Sequence, residues 1–262
     1  MGGRGATSSS GKMGAVGGVT LQPQVDSNAQ IDNTQVASAF SADYNAFMAM
    51  SDDDKADFIS ANIKQGVPDH LADNSFQRFL YNSKITDRPD LVDDATLDTM
   101  TGAEMFRTVN YVDKKYNPLD IGYTAPQIAN QVMKGRDTRV SDTGGSAYGR
   151  GIYFADSYSH STSMYGDHSG NVMSTAVMRA KLNNNAKVLN INNARSGAQK
   201  EIASGSKLGR VLSKCDYESQ PSVYAMSKGY NVISSGHGYF NVLNRNAITM
   251  SKDIKAKGSS WK

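Results

Sequence analysis

The sequence predicts an α+β fold, and three observations carry that prediction. From Met100 onward short β-rich runs are separated by Gly-rich turns, helices interrupt these runs at irregular intervals, and a stretch of helical periodicity precedes them. A wound parallel sheet would alternate strand and helix regularly, so the irregular order argues against it. No internal repeat is visible.

Taken in order, residues 1–30 read as a flexible tail. Gly2, Gly3, Gly5, Ser8–Ser10, Gly14, Gly17 and Gly18 crowd the start, with too little apolar surface to offset the entropy of ordering it. The Met1-Gly2 start fails as a myristoylation motif because Ala6 stands where Ser or Thr is required. Residues 31–97 read as a small helical region that packs or docks. From Gln35, Val36, Phe40, Tyr44 and Phe47 fall on one helix face. Ser51 is placed to cap a second helix, with Asp52–Asp54 in its first turn and Gly66 as the stop. Asp73–Lys84 is a third helix with Phe76, Phe79 and Leu80 as its stripe, and Asp87–Asp98, acidic and Pro-containing, reads as a connector.

Within 98–251, Met105–Val109 is a strand. Thr124 and Gln127 form a capping box opening a helix whose Ile128 and Val132 face inward and which Gly135 ends. Gly151–Ala155, Val172–Lys181, Lys187–Ile191, Asn231–Ile233 and Phe240–Leu243 are further strands, with helices at Ser157–Tyr165 and Ser222–Lys228. Residues 252–262, with Lys252, Lys255, Lys257 and Lys262, form a basic tail that is solvated or touches an acidic partner.

Composition excludes several classes. With 39% hydrophobic and 20% charged residues among 262, the chain is mostly folded, and a single cysteine rules out a disulfide scaffold. No apolar run approaches a membrane span and the first thirty residues hold no apolar signal core, so the expectation is a cytoplasmic protein. A net charge of +3 without a basic, aromatic-interleaved stripe gives no indication of nucleic-acid binding. His70, His160, His168 and His237 lack metal-ligand spacing, so no metal is expected. His160, beside Ser161, has no identifiable third orienting group and reads as an exposed helix histidine. Cys215 reads as a buried or half-buried thiol.

The most informative stretch runs from Ser141 to Gly166. Its Gly-rich loop (Gly144, Gly145, Gly149, Gly151) enters the short strand Ile152-Tyr153-Phe154-Ala155, then a helix carrying Ser159 to Tyr165. Glycines let backbone approach a flat or phosphorylated ligand, and Tyr153 and Tyr165 can present ring faces. A packing turn before a buried strand has the same texture.

Gly149-Arg150-Gly151-Ile152-Tyr153-Phe154-Ala155 with Ser161 downstream resembles the donor-site motif of ADP-ribosyltransferases of the poly(ADP-ribose) polymerase type. The resemblance extends over roughly residues 100–250, including Met178–Leu182, Asn185–Leu189, Gly229–Ile233 and Tyr239–Asn244. It implies a split, mixed-sheet ADP-ribosyltransferase-like domain that uses NAD+ as substrate. By that resemblance Tyr153 stacks on nicotinamide, Thr108 holds the carboxamide through its backbone, Ser161 bonds it, and Tyr165 or Met164 covers the other ring face. Tyr148 and Gly151 of the loop line the cofactor. Arg107, where the polymerase type has histidine, resembles the arginine of toxin-type transferases; its alternative is an ion pair with Glu104 or a connector aspartate. Tyr239 stands at the position of the family's catalytic glutamate. Between residues 202 and 252 the only carboxylates are Asp216 and Glu218, and a two-residue shift would bring His237 there instead. Arg107, Tyr153 and Tyr239 are therefore the expected catalytic positions.

These residues imply mono-ADP-ribosylation of a protein or other macromolecule, with polymer formation disfavoured. NAD+ hydrolysis and a catalytically degenerate structural or virion-associated protein are the alternatives. The Gly-rich leader resembles those of bacteriophage-encoded proteins, under which the acceptor is a host protein, virion components are partners and the site of action is the host cytoplasm or the virion.

Overall fold

The computed structural model describes residues 44–67, 69–83, 85, 90–110, 147–165, 175–253 and 255–256, all within the unit Asn33–Lys262. The expected helix at 124–135 lies outside the described residues.

The N-terminal helices form where the sequence signals place them. Helix α1 (Asp52–Lys64) opens at Ser51, whose Oγ accepts a hydrogen bond from the Asp54 amide at 3.1 Å, with three aspartates in its first turn. Helix α2 (Ser75–Ser83) buries Phe76, Phe79 and Leu80. Phe47, from a helical segment at 44–49, meets Phe58 and Phe79 at ring separations of 5.6 and 6.0 Å. The same core takes in Ile191, Ala194 and Ala198 of α5 (Ile191–Ser204), Leu208 and Leu212 of α6 (Lys207–Leu212), and Val223 and Met226 of α7 (Gln220–Ser227). Ile233 and Leu243 join it from the sheet, so the early helices share a core with the later part of the chain.

The sheet runs β1 (Asp90–Val92), β8 (Ile248–Ser251), β4 (Thr175–Leu182), β2 (Glu104–Asn110), β3 (Ile152–Ala155), β7 (Tyr239–Val242), β6 (Val232–Ser234), β5 (Val188–Asn190), with β9 (Lys255–Ala256) also on β4. The β1–β8 and β5–β6 pairs are parallel and the others antiparallel. The fold is α+β with a mixed sheet.

Two halves meet at β2 and β3. Strand β2 runs beside β4 from Glu104↔Lys181 to Asn110↔Thr175, yet among the described residues it pairs with β3 at Phe106↔Ala155 alone. Alternation sets the faces. Met105, Met178, Ala180, Ile248 and Met250 of one half and Ile152, Phe154, Val232 and Val242 of the other form a single core. Phe106, Tyr153, Ala155, Tyr239 and Asn241 lie on the opposite face. Helix α4 (Tyr158–Tyr165) packs on β2 and β3, with Tyr158 edge-on to Phe106 at 6.3 Å.

Several elements differ from expectation. The stretch read as a connector contains β1 and α3 (Asp94–Thr99), the latter capped by Asp93, whose carboxylate accepts from the Thr96 amide at 2.8 Å. Parallel pairing with β8 gives β1 its structure, a non-local cause that composition does not reveal. Helices α5 and α6 and strand β8 stand outside the expected elements. In α5 the buried positions are largely alanine, which blurs the apolar stripe. Part of the segment read as a basic tail continues the sheet as β9. Among the described residues no helix is long and apolar enough to cross a membrane.

Candidate functional site

The loop before β3 is held from three sides. The Ser222 hydroxyl donates to the Arg150 carbonyl at 2.6 Å, and Asn241 Nδ2 donates to the carbonyls of Tyr148 and Arg150 at 3.0 and 3.3 Å. The Arg150 amide donates to the Glu218 carbonyl at 3.2 Å while its guanidinium pairs with the Glu218 carboxylate. Gly149 has φ +86°, a conformation glycine tolerates best. At Gly151 a Cβ would stand 1.9 Å from Asn241 Oδ1, so absence of a side chain permits the approach.

Tyr153 closes the loop on itself. Its hydroxyl donates to the Gly149 carbonyl at 2.5 Å and accepts from the Tyr148 amide at 3.0 Å, and the residue is 8% exposed. The phenol thus fixes the loop, leaving the ring as the part that can meet a ligand. Tyr148 and Tyr153 rings lie 6.4 Å apart, and Tyr148 stacks on Tyr239 at 5.7 Å and 23°.

Arg107 is 5% exposed, and its register opposite Met178 turns its side chain to the core face, away from that of the Tyr153 ring. Its Nη1 donates to the Tyr153 carbonyl at 2.8 Å. Continuing the Phe106↔Ala155 register would bring Thr108 opposite Tyr153, so the guanidinium serves a β3 carbonyl where the two strands part. Of the acids expected as its alternative partners, Glu104, Asp98 and Asp94 surround Arg179. Burial by itself lowers the Arg179 pKa, but the hydrogen bonds and charges of Asp98 and Glu104 together outweigh it and hold the group above its ordinary value.

Tyr239 is half-buried on β7, opposite Ala155. His160 packs on it with ring centroids 4.3 Å apart, and His160 Nδ1 lies 3.1 Å from Asp156 Oδ1. The reading of His160 as a histidine without an orienting group is therefore corrected: Asp156, four residues earlier at the mouth of α4, is that group. An i, i+4 Asp–His spacing was the available signal. Ser161, one residue on, is fully buried beneath the same helix.

The two carboxylates between residues 202 and 252 are both engaged. Asp216 Oδ2 accepts from the Ser75 amide at 3.0 Å and the Ser219 hydroxyl at 2.5 Å, and Glu218 holds Arg150. They join the start of α2 to the loop before β3. His237 is exposed in the β6–β7 turn.

No family model, curated protein or solved structure matches the chain. Tyr148, Tyr153 and Tyr239 come together, with Gly151 held against Asn241 beside them; Arg107 reaches the Tyr153 carbonyl from the core side, and Ser161 is buried within α4. The side chains of Thr108, Met164 and Tyr165, and all of His168, lie outside the described residues. Among the described residues no group of His, Cys, Asp and Glu could hold a metal ion. Cys215 is buried, its Sγ donating to the Val211 carbonyl at 3.4 Å, and burial, with Asp216 nearby, pushes the thiol up to about 12.

Proposed function

We propose that this chain is an NAD+-dependent mono-ADP-ribosyltransferase acting on a macromolecular acceptor. The observation that carries the reading is the convergence of Tyr148, Tyr153 and Tyr239 on one sheet face beside α4, next to the point where β2 and β3 separate. Aromatic faces suit a flat cationic ring such as nicotinamide. Tyr153, with Tyr148 beside it, would hold that ring, Ser161 would bond its carboxamide, and the backbone of Gly151 and Thr108 would line the site. NAD+ supplies a ribose–nicotinamide bond whose loss passes through an oxocarbenium-like transition state. Holding that bond in one orientation is the main demand, and the fourfold tethering of the loop meets it. Arg107 acts as a positioning residue: it fixes the β3 backbone at Tyr153.

Incubating the protein with labelled NAD+ and a cell lysate should label macromolecules and release nicotinamide, and Tyr153→Ala should abolish both. One observation favours a second reading. Tyr239 replaces the acid of the resembled family, and Asp216 and Glu218 are engaged, which fits a degenerate domain that binds NAD+ without splitting it. Binding by calorimetry with no nicotinamide release would select that reading; neither binding nor release would remove NAD+ altogether.

A further inference from the structure

Asp156, His160 and Gly238 form a small device on the face shared with the tyrosine cluster. The carboxylate at Nδ1 fixes the imidazole tautomer, with Nδ1–H donating to Asp156 and Nε2 left as a proton acceptor. No partner for Nε2 is found among the described residues. The His160 side chain is 29% exposed and that of Asp156 51%, so the pair is reachable by a macromolecule. Chain geometry is cut to fit it. Gly238 has φ +86°, its carbonyl accepts from the Asp156 amide at 2.8 Å, and a Cβ there would lie 2.7 Å from His160 Nδ1 and 2.9 Å from Asp156 Oδ2. The imidazole packs on Tyr239, which stacks on Tyr148 beside Tyr153, so base and proposed donor site adjoin.

From this we infer that His160, oriented by Asp156, is the general base for the acceptor, and that the acceptor is a protein hydroxyl, a serine or threonine side chain. The inference rests on the transferase reading. A carboxylate acceptor carries no proton to remove, whereas a hydroxyl does, and an oriented imidazole is the group for that task. In the step, the acceptor oxygen bonds to the ribose anomeric carbon as the bond from that carbon to the nicotinamide nitrogen breaks. The electron pair leaves with nicotinamide and neutralises its ring, while the hydroxyl proton passes to His160 Nε2 and then to solvent. The absence of a basic stripe favours protein over RNA.

The test uses the full chain with labelled NAD+ and lysate. The expected product is a label that survives neutral hydroxylamine, which cleaves esters to carboxylates, and that mass spectrometry places on serine or threonine. In His160→Gln, label transferred per nicotinamide released should fall by roughly 10²-fold, and in Asp156→Asn by about tenfold. Melting temperature and NAD+ affinity of each variant verify the fold, and Asp156→Asn serves if His160→Gln does not fold. A hydroxylamine-labile or ribonuclease-sensitive label, or an unchanged transfer ratio in both variants, overturns the inference while leaving the transferase reading intact. A wild-type protein that neither binds nor splits NAD+ overturns both.

Discussion

Substituting Gly151 by alanine tests whether the loop before β3 is held by packing on Asn241. The new Cβ would fall 1.9 Å from Asn241 Oδ1 and 2.9 Å from the Val242 carbonyl, against an ordinary contact of about 3.4 Å, so something must move by about 1.5 Å. Asn241 is fully buried and holds the Tyr148 and Arg150 carbonyls through Nδ2. Moving its side chain gives up both hydrogen bonds, at about 0.5–1.5 kcal/mol each, and over-packing adds about 1–3 kcal/mol. A loss of about 3 kcal/mol is therefore expected, lowering Tm by roughly 6–12 °C for a chain of this size. Urea unfolding should be measured in a double-mutant cycle with Asn241→Ala. Once the carboxamide is gone, the additional cost of Gly151→Ala should shrink by about 2 kcal/mol. Additive losses would refute the argument and shift the constraint on Gly151 to the Val242 backbone.

Other expectations follow from the same geometry. Arg107→Ala removes the donor to the Tyr153 carbonyl and leaves a gap in the core, and should destabilise by about 2–4 kcal/mol in chemical denaturation; unchanged stability with lost activity would instead place Arg107 on the substrate. Cys215, held largely as the neutral thiol up to about pH 12, should resist iodoacetamide at pH 8 and react at once in denaturant, as read by intact mass. Glu201 is held below the usual carboxylate range by the Ser206 hydroxyl and then the Lys228 ammonium, against the opposing effect of burial. Because its folded pKa is depressed, its contribution is present above the unfolded value of about 4.3 and is lost as pH falls through the folded one. The stability gap between wild type and Glu201→Gln, about 1–2 kcal/mol at pH 7, should therefore close on acidification below pH 4 in parallel melts.

What could be read in advance depended on how local the cause was. Ser51, Asp52–Asp54 and the Phe76–Phe79–Leu80 stripe act within one helix, and α1 and α2 lie where those residues put them. The Ile152–Ala155 strand was equally legible, because a Gly-rich turn before a fully apolar run has few other outcomes. Strand β1, by contrast, exists through pairing with Thr249–Ser251, about 160 residues away in the chain. The same reasoning separates the site residues. Tyr153 and Ser161 belong to a contiguous motif. The partners of Glu104, and the engagement of Asp216 with the Ser75 amide, depend on which elements become neighbours. The Asp156–His160 pair is equally local, four residues apart at the start of α4.

The clasp of Asp216 and Glu218 between α2 and the Arg150 loop also bears on where this protein can be divided. Residues 44–83 look dispensable by composition, yet they cover Ile191, Leu212, Val223 and Leu243 and share the anchor of the loop that shapes the tyrosine cluster. A chain cut at residue 97 would expose that apolar surface and free the Asp216 carboxylate of its Ser75 partner. The smallest piece able to carry this site to another protein therefore includes the early helices.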